Sequence, residues 1–413
     1  MLFIYRIFIN TVFIILPIII IVRLFKRKED YRSIKEKIGF NSKKRGMGSL
    51  VWFHGASVGE IKSIIPLILK LEKQNNIKKI LITSNTLSSA DVFNNFKLKK
   101  TIHQFFPIDT NFITKKFIEY WSPSKVFFID SEIWPNMILN IKKKKIPLIL
   151  INGRITKKTF RRWNRFKNFS KEIFSNFDLC LTSDKVSKNY LTKLKAKNII
   201  YIGNLKFTET KNKKINLSKN LDNFLNLKNS WCASSTHHNE EIICGKIHLK
   251  IRKKLKNLLT IIIPRHIERS EKIKIELEKL GLKVFLHSNQ KKIDFDTDIY
   301  LVNAYDKTKF FFNKCKNVFL GGSLINHGGQ NPLEATRSGS NIIHGPNVQN
   351  FREIYNFLNK LKISHKVTNE KKLILKLVEL FKKKNRSSNK HPKLKSIGRK
   401  ILTAYYNDII LKQ

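Results

Sequence analysis

The sequence predicts two α/β domains, each a doubly wound parallel sheet, behind an N-terminal apolar helix. Three observations carry this. Short apolar runs rich in Ile, Val and Phe alternate with longer amphipathic stretches, in two successive sets, which is the pattern of repeated βα units. A polar, Lys/Asn-rich stretch, Thr208 to Lys228, divides the sets. An apolar run opens the chain and ends in a basic collar. With 413 residues, each domain is long enough to bury its own core. The expected boundaries are 1–28 for anchor and collar, 29–207 for the first domain, 208–228 for a linker and 229–413 for the second. No internal repeat is detectable.

Leu2 to Leu24 reads LFIYRIFINTVFIILPIIIIVRL, about the ~20 residues that a bilayer-spanning helix requires. Arg6, Asn10 and Pro17 interrupt it, and Thr11 to Val22, with Pro17 inside it, is the part free of charge. Arg23, Lys26, Arg27 and Lys28 follow, and such a collar stays on the cytoplasmic side. No small-residue cleavage site follows, so the expectation is an uncleaved anchor with the globular body in the cytosol. A helix lying in the membrane interface is the alternative.

Lys and Arg number 81 against 30 Asp and Glu, a formal charge of +51. That predicts attraction to nucleic acid, a phospholipid surface or a phosphorylated lipid, and the sign alone does not choose. Drift toward Lys at tolerant surface positions is the plain alternative. A hydrophobic fraction of 42%, with only 16 Gly and 10 Pro, excludes a disordered or fibrous chain. Cys180, Cys232, Cys244 and Cys315 form no CxxC pair, so neither a zinc site nor a disulfide framework is signalled, and a reducing compartment fits.

Expected strands of the first set are Leu50 to His54, Lys79 to Thr83, Val126 to Ile129, Pro147 to Ile151, Leu179 to Thr182 and Asn198 to Ile202. Those of the second are Ser230 to Ala233, Leu258 to Ile263, Lys283 to Leu286, Asn317 to Leu320 and Asn341 to His344. Ligands of open parallel sheets sit at the carboxyl ends of the strands, so the loops leaving them are where chemistry is expected. The first strand runs into His54-Gly-Ala-Ser-Val-Gly-Glu60, and Ile61, Ile64, Ile65 and Ile68 mark a helix by their spacing, with Pro66 expected to kink it. Ser57-x-x-Glu60 is a capping-box pattern, which by itself explains the Glu. A carboxylate kept ionised at a helix N-terminus also suits a proton acceptor. Asp130-Ser-Glu-Ile-Trp-Pro-Asn136 places two acids at another strand end, with a solvated acidic loop as the plain alternative. Gly203-Asn-Leu-Lys206 ends the first set with a cation.

In the second set, Ala233-Ser-Ser-Thr-His-His-Asn-Glu240 and Pro264-Arg-His-Ile-Glu-Arg269 bring hydroxyls, imidazoles and guanidinium groups to strand ends, which suits a phosphate and a ribose. The stretch Gly321-Gly-Ser-Leu-Ile-Asn-His-Gly-Gly-Gln-Asn-Pro-Leu-Glu334 turns on paired glycines and reaches Pro332, the expected first position of a helix. Its backbone amides and the helix end suit an anion, and a plain glycine turn is the alternative. No residue spacing signals a metal. Lys142 to Lys145, and the cluster Lys157, Lys158, Phe160, Arg161, Arg162, Trp163, Arg165, Phe166 and Lys167, combine charge with aromatic bodies, as a surface pressed on lipid headgroups does. A solvated helix face explains them equally.

In order along residues 53 to 351, FHGASVGE, FPIDT, DSEIWPN, NGRIT, GNLKF, SSTHHNEE, PRHIER, GGSLINHGGQNPLEA and GPNVQNF resemble the motifs of the Kdo (3-deoxy-D-manno-octulosonic acid) transferases. The resemblance implies a GT-B fold of two Rossmann-like domains facing a cleft. It implies an inverting transfer of Kdo from CMP-Kdo to a lipid A precursor, lipid IVA, in lipopolysaccharide biosynthesis. No cofactor and no bound metal are implied for the chemical step, and the location implied is the cytoplasmic face of the bacterial inner membrane. Carried over residue by residue, Glu60 matches the general base, and Asp130 and Lys206 match positions credited with transition-state stabilisation. Pro264, Arg265, Asn331, Pro332, Leu333 and Glu334 match CMP contacts, and Asp306, Lys307 and Thr308 stand where a further nucleotide contact falls.

Three positions depart from the family pattern. Asp130 stands where Glu is usual, Gln330 where His is usual, and Asn303-Ala-Tyr-Asp-Lys-Thr308 where a DTMGEL-like segment is usual. The competing readings are a GT-B enzyme using another nucleotide sugar and a basic, membrane-tethered nucleic-acid binder without catalysis. The Kdo-transferase reading itself expects no nucleic acid.

Overall fold

Large apolar side chains alternate along the first strand, β1 (Leu50–His54). Leu50 and Trp52 enter one core and Val51 and Phe53 the other, on opposite faces of the same sheet. The structure, a computed structural model, describes every residue except 95, 97, 209–218, 288–292, 306, 384–391 and 411–413. Strands β2 (Lys79–Ser84), β3 (Thr101–Phe105), β4 (Lys125–Ile129), β5 (Leu148–Gly153), β6 (Leu179–Thr182) and β7 (Ile199–Tyr201) join β1 in a seven-stranded sheet of order β3-β2-β1-β4-β5-β6-β7. All its pairings are parallel. Helices cover both faces, as burial of a parallel sheet on two sides requires.

A second seven-stranded parallel sheet contains β8 (Asn229–Thr236), β9 (Leu258–Pro264), β10 (Val284–Leu286), β11 (Ile299–Leu301), β12 (Asn317–Leu320), β13 (Asn341–His344) and β14 (Ser364–Lys366). Its order is β10-β11-β9-β8-β12-β13-β14. The first sheet's order reverses between β1 and β4, and the second's between β8 and β12, with β10 and β11 exchanged at its edge. Loops diverge there and leave a crevice at the carboxyl edge.

The two compact units are Met1–Thr210 with Lys395–Gln413, and Lys211–Leu394. Two expected boundaries are therefore corrected. The second domain does not run to residue 413, because the helix Pro392–Ile410 carries Ile401, Tyr405 and Ile409 into the first lobe's core. The Tyr405 hydroxyl donates to the carbonyl of Gly203 at 3.0 Å. Gly203 itself has φ +117°, and a Cβ there would stand 3.0 Å from Ile401 Cδ1, so the close approach needs glycine. Nor is 208–228 wholly a linker: Lys219–Asn226 is a helix with Leu221, Phe224 and Leu225 buried, while 209–218 lie outside the described residues.

The apolar segment forms one helix, Leu2–Phe25, continuous through Pro17 and with no buried residue. Both its ends are fastened to the first lobe. The Tyr5 hydroxyl donates to Asp109 at 2.7 Å and Arg6 Nε to Asn136 at 2.9 Å. At the far end Arg23 pairs with Glu29 at 2.8 Å, and Glu29 also accepts from Lys37 and from Ser33. The short helix Tyr31–Lys37 is in turn bonded to β3 and its exit, through Phe105 N to Glu36 and Ile108 N to Lys37 O.

Candidate functional site

β1 ends in His54, and the next helix, Val58–Leu71, begins one turn later and continues through Pro66. Ser57 caps it. Its hydroxyl accepts from the Glu60 amide, and Glu60 in return accepts from the amides of Ala56 (2.6 Å) and Ser57 (3.3 Å) and from the Ser57 hydroxyl (2.9 Å). The expected capping box thus exists, and it also fixes the carboxylate at the carboxyl edge of the sheet. Burial first, then the charges of Asp130 and Glu132, push the Glu60 carboxyl up to about 7, against the hydrogen bonds from Ser57 and Ala56. That places its pKa where a general base is most effective near neutrality.

The two neighbouring acids come from the loop after β4, across the point where the strand order reverses. Asp130 is 6% exposed, so the solvated-loop alternative does not hold for it. Its carboxylate accepts from the Asn152 side-chain amide at the end of β5 and lies 3.3 Å from Lys206 Nζ. Asn152 in turn accepts from the Leu205 amide at 2.8 Å, so the carbonyl and amide of one side chain join Asp130 to the Lys206 turn. Asp130 (φ +56°) and Asn152 (φ +53°) both hold the left-handed backbone conformation. Asp and Asn tolerate it better than other side chains, and such residues gather at functional sites.

Glu132 accepts from Trp134 Nε1 at 2.8 Å and lies 3.2 Å from His54 Nε2. Burial raises its carboxyl, but the hydrogen bond and charge of His54 and the Trp134 indole outweigh that and hold it below the ordinary range. His54 is fully buried, stacks on Phe106 at 3.7 Å, and meets Thr83 Oγ1 at 3.0 Å through its other nitrogen. Trp134 packs on Phe106 and also orients Glu132.

The residues expected to contact the nucleotide fall on three carboxyl-end loops of the second lobe. Pro264 closes β9 and is buried, and Arg265 beyond it is exposed, with its amide donating to Thr236 O at 2.9 Å. Lys307 and Thr308 start the helix Thr308–Lys314 after β11, while Asp306 lies outside the described residues. Asn331 and Glu334 are exposed, and Leu333 is fully buried with its amide bonded to Asn331 Oδ1 at 3.1 Å. Pro332 caps the short helix Leu333–Arg337 rather than opening it.

The glycine loop after β12 differs from expectation. Its amides already hold an anion, the chain's own Glu240, which accepts from Gly322 (2.7 Å), Ser323 (3.3 Å), Leu324 (3.2 Å) and His237 (3.0 Å). Glu240 is 0% exposed and bridges β8 to β12 at the second reversal point. Gly328 and Gly329 (φ +96° and +73°) let the loop close against the 345–350 turn, where a Cβ on Gly328 would collide with the Asn350 side chain. Beside this loop His237 packs on His327 at 4.0 Å and on His266 at 6.1 Å, with Gln330 Nε2 3.4 Å from His237 Nε2. Burial, then the neighbouring imidazoles, Arg265 and Arg269, hold the His237 pKa down at about 4. Among the described residues no group of three His, Cys, Asp or Glu side chains suits a metal ion.

Sequence reasoning missed Glu240, His237 and Asn152 as organising residues. The SSTHHNEE string was the available signal for the first two, whereas nothing local to Asn152 marked it.

Two doubly wound parallel lobes with acids, a lysine and arginines at their carboxyl edges place the chain in the GT-B class. A solved structure of this class, UDP-GlcNAc 2-epimerase from Neisseria meningitidis bound to UDP-GlcNAc, overlays with a TM-score of 0.56 over 89% of this chain and 99% of that one, at 15% identity, a likeness of fold alone. Residues 32–209 match the family described as 3-Deoxy-D-manno-octulosonic-acid transferase (kdotransferase). The 3-deoxy-D-manno-octulosonic acid transferase of Rickettsia bellii is 32% identical over 350 residues, 83% of this chain and 82% of that protein. A probable mitochondrial 3-deoxy-D-manno-octulosonic acid transferase of Arabidopsis thaliana is 30% identical over 84% and 81% of the two chains. The chain belongs to the 3-deoxy-D-manno-octulosonic acid transferase family of glycosyltransferases.

Proposed function

We propose that this protein transfers Kdo from CMP-Kdo to a hydroxyl of a lipid A precursor, with inversion at the anomeric carbon. The observation that carries the reading is the Glu60 carboxylate, fixed by its capping box and raised toward neutrality, at the same reversal point as Asp130 and its Lys206 partner. In a single displacement Glu60 takes the acceptor's proton and the freed oxygen bonds to the anomeric carbon. The bond from that carbon to the phosphate oxygen breaks, and CMP leaves with the electron pair. Inversion follows from one attack on the face opposite the leaving group.

The first lobe supplies the proton acceptor and the Lys206 cation, and the second supplies the nucleotide contacts Pro264, Arg265, Lys307, Thr308 and Asn331 to Glu334, with Asp306 completing the set. Arg265 grips the phosphate as its charge grows. The amides of Gly322, Ser323 and Leu324 serve the fold of this loop through Glu240 and are not assigned to the donor.

Membrane attachment belongs to the same reading. The helix Leu2–Phe25 is long and apolar enough to cross a membrane, yet both its ends are bonded to one lobe. A rod of 24 residues, ~36 Å at 1.5 Å per residue, so held lies along a cytoplasmic membrane face instead of crossing it.

The test is incubation of purified protein with CMP-Kdo and tetra-acylated lipid A precursor, beside Glu60→Ala. The expected result is mass gain of the lipid by whole Kdo units, lost in the variant. Equal activity in both removes Glu60 as the base. Competition by CMP but not UDP is expected. The reverse favours another nucleotide sugar, the reading that the altered Asn303 to Thr308 segment would support.

A further inference from the structure

Between Arg154 and Lys171 the chain carries Arg154, Lys157, Lys158, Arg161, Arg162, Arg165, Lys167 and Lys171 and no acidic residue. Five of these, Lys157, Lys158, Arg161, Arg162 and Arg165, line one open cavity of about 440 Å³. All five are exposed, and among the described residues none has an acidic side chain within ion-pair distance. Like charges gathered on so small a surface repel one another.

The helix that presents them, Lys157–Asn164, is firmly seated. Thr156 caps it, Phe160 stacks on Tyr190 (4.5 Å, 10°), and Trp163 packs on Phe169 and Phe174 of the core. Its aromatic side is therefore used in packing and its cationic side is left facing solvent. The helix also begins close to the acids. Asn152, which bonds Asp130, is five residues before Lys157, a separation of at most about 17 Å along the chain. The Arg154 amide between them donates to Asp130 O at 3.0 Å.

We propose that this five-cation bowl binds the phosphate groups of a phosphorylated glycolipid, and so holds the acceptor while its hydroxyl reaches Glu60. The inference rests on the acceptor reading above and adds the group by which the acceptor is recognised. Three arginines suit phosphate because each offers two parallel donors, and two lysines add point charge. A compact bowl fits a phosphomonoester, whereas a nucleic-acid duplex calls for a longer stripe of charge. The exposed apolar helix of the same lobe brings the bowl to a lipid surface.

The experiment measures binding of the full chain to phosphatidylcholine vesicles carrying a diphosphorylated, tetra-acylated glucosamine disaccharide. Parallel arms carry the same lipid with its phosphates removed, phosphatidylglycerol at matched charge, and a DNA duplex. The triple variant Arg161→Gln, Arg162→Gln, Arg165→Gln is run beside the wild type. The wild type is expected to prefer the phosphorylated disaccharide lipid, and the variant to bind it about tenfold more weakly. The variant's KM for the acceptor rises, with kcat, the KM for CMP-Kdo and the melting temperature kept. Equal binding of the phosphate-free lipid, equal binding of phosphatidylglycerol, tighter binding of DNA, or an unaffected variant each overturns the proposal. Binding that depends on the phosphates in a protein that transfers no sugar would instead sink the transferase reading and leave this site standing.

Discussion

The carboxylate of Glu240 accepts a 2.7 Å hydrogen bond from the amide of Gly322, eighty-two residues further along the chain. It accepts from three other amides as well, and so takes the place that an anionic ligand was expected to fill. Glu240→Ala leaves four amide donors unpaired, three of them on buried residues, and is expected to destabilise the second lobe by at least about 3 kcal/mol. Hydrogen exchange reads this locally. The amides of Gly322, Ser323 and Leu324 lose protection in the variant, and unchanged protection would refute the bracing role.

Glu60 links activity and stability to pH in opposite senses. As the proposed base it must be ionised, so kcat/KM is expected to fall about tenfold per pH unit below a midpoint near 7. Glu60→Gln lowers kcat by about 10²–10⁴ and removes that limb of the profile. For stability, a carboxyl whose folded pKa lies above its unfolded value favours the native state below the unfolded pKa, and this contribution is lost as pH rises through the folded pKa. Glu60→Gln is therefore expected to gain stability relative to wild type between about pH 4.5 and 7, on the order of 2 kcal/mol by pH 8. Urea titrations at pH 5 and pH 8 provide the comparison, and a constant gap would count against the raised pKa.

Asp130 and Lys206 are 3.3 Å apart with little exposure, 8% and 15% of their side chains. Removing either leaves the other charge poorly solvated. A double-mutant cycle with Asp130→Asn and Lys206→Met is expected to show a coupling of about 1–3 kcal/mol, measured on kcat/KM and on stability. Additive effects would mean that the two act separately.

Tyr405 is fully buried in the first lobe although it lies near the chain's last residues. Tyr405→Ala is expected to cost about 3–5 kcal/mol through the cavity it leaves. Tyr405→Phe, which loses the bond to Gly203 O, should cost about 1 kcal/mol. Thermal melts followed by the tryptophans of the first lobe provide the readout. A loss confined to the second lobe would contradict the placement of this helix.

The lie of the N-terminal helix is open to labelling. The native cysteines are at most 1% exposed and stay silent. In vesicles, single cysteines placed by Leu2→Cys and Phe25→Cys are expected to react with an impermeant maleimide from the same side. Labelling from opposite sides would make the helix a span.

Much of this architecture was readable in advance, and the failures share a cause. The buried strands announced themselves by apolar runs. β3 alternates polar residues, β11 has three residues, and β14 is the polar Ser-His-Lys. Each therefore lacked the run that marks a buried strand. Glu60 was legible because its capping partner is three residues away. Glu132 was recorded only as one of two acids in a loop, because its bond to His54 spans 78 residues, and Asn152 reaches Asp130 across 22. The Glu240 cradle misled for a related reason: a glycine turn with free amides shows that an anion fits, not whether the protein itself provides one. The last helix displayed an apolar face, but periodicity does not say which lobe that face meets.

That last helix also sets an order of events during synthesis. Residues 211–394 are contiguous, so the whole of the second lobe is synthesised before the helix that closes the first. Until Ile401, Tyr405 and Ile409 emerge, the nascent first sheet has one flank of isoleucine and phenylalanine uncovered. The interval is one in which aggregation or chaperone capture competes with folding, and a truncation that removes this helix would cripple the half of the enzyme translated first.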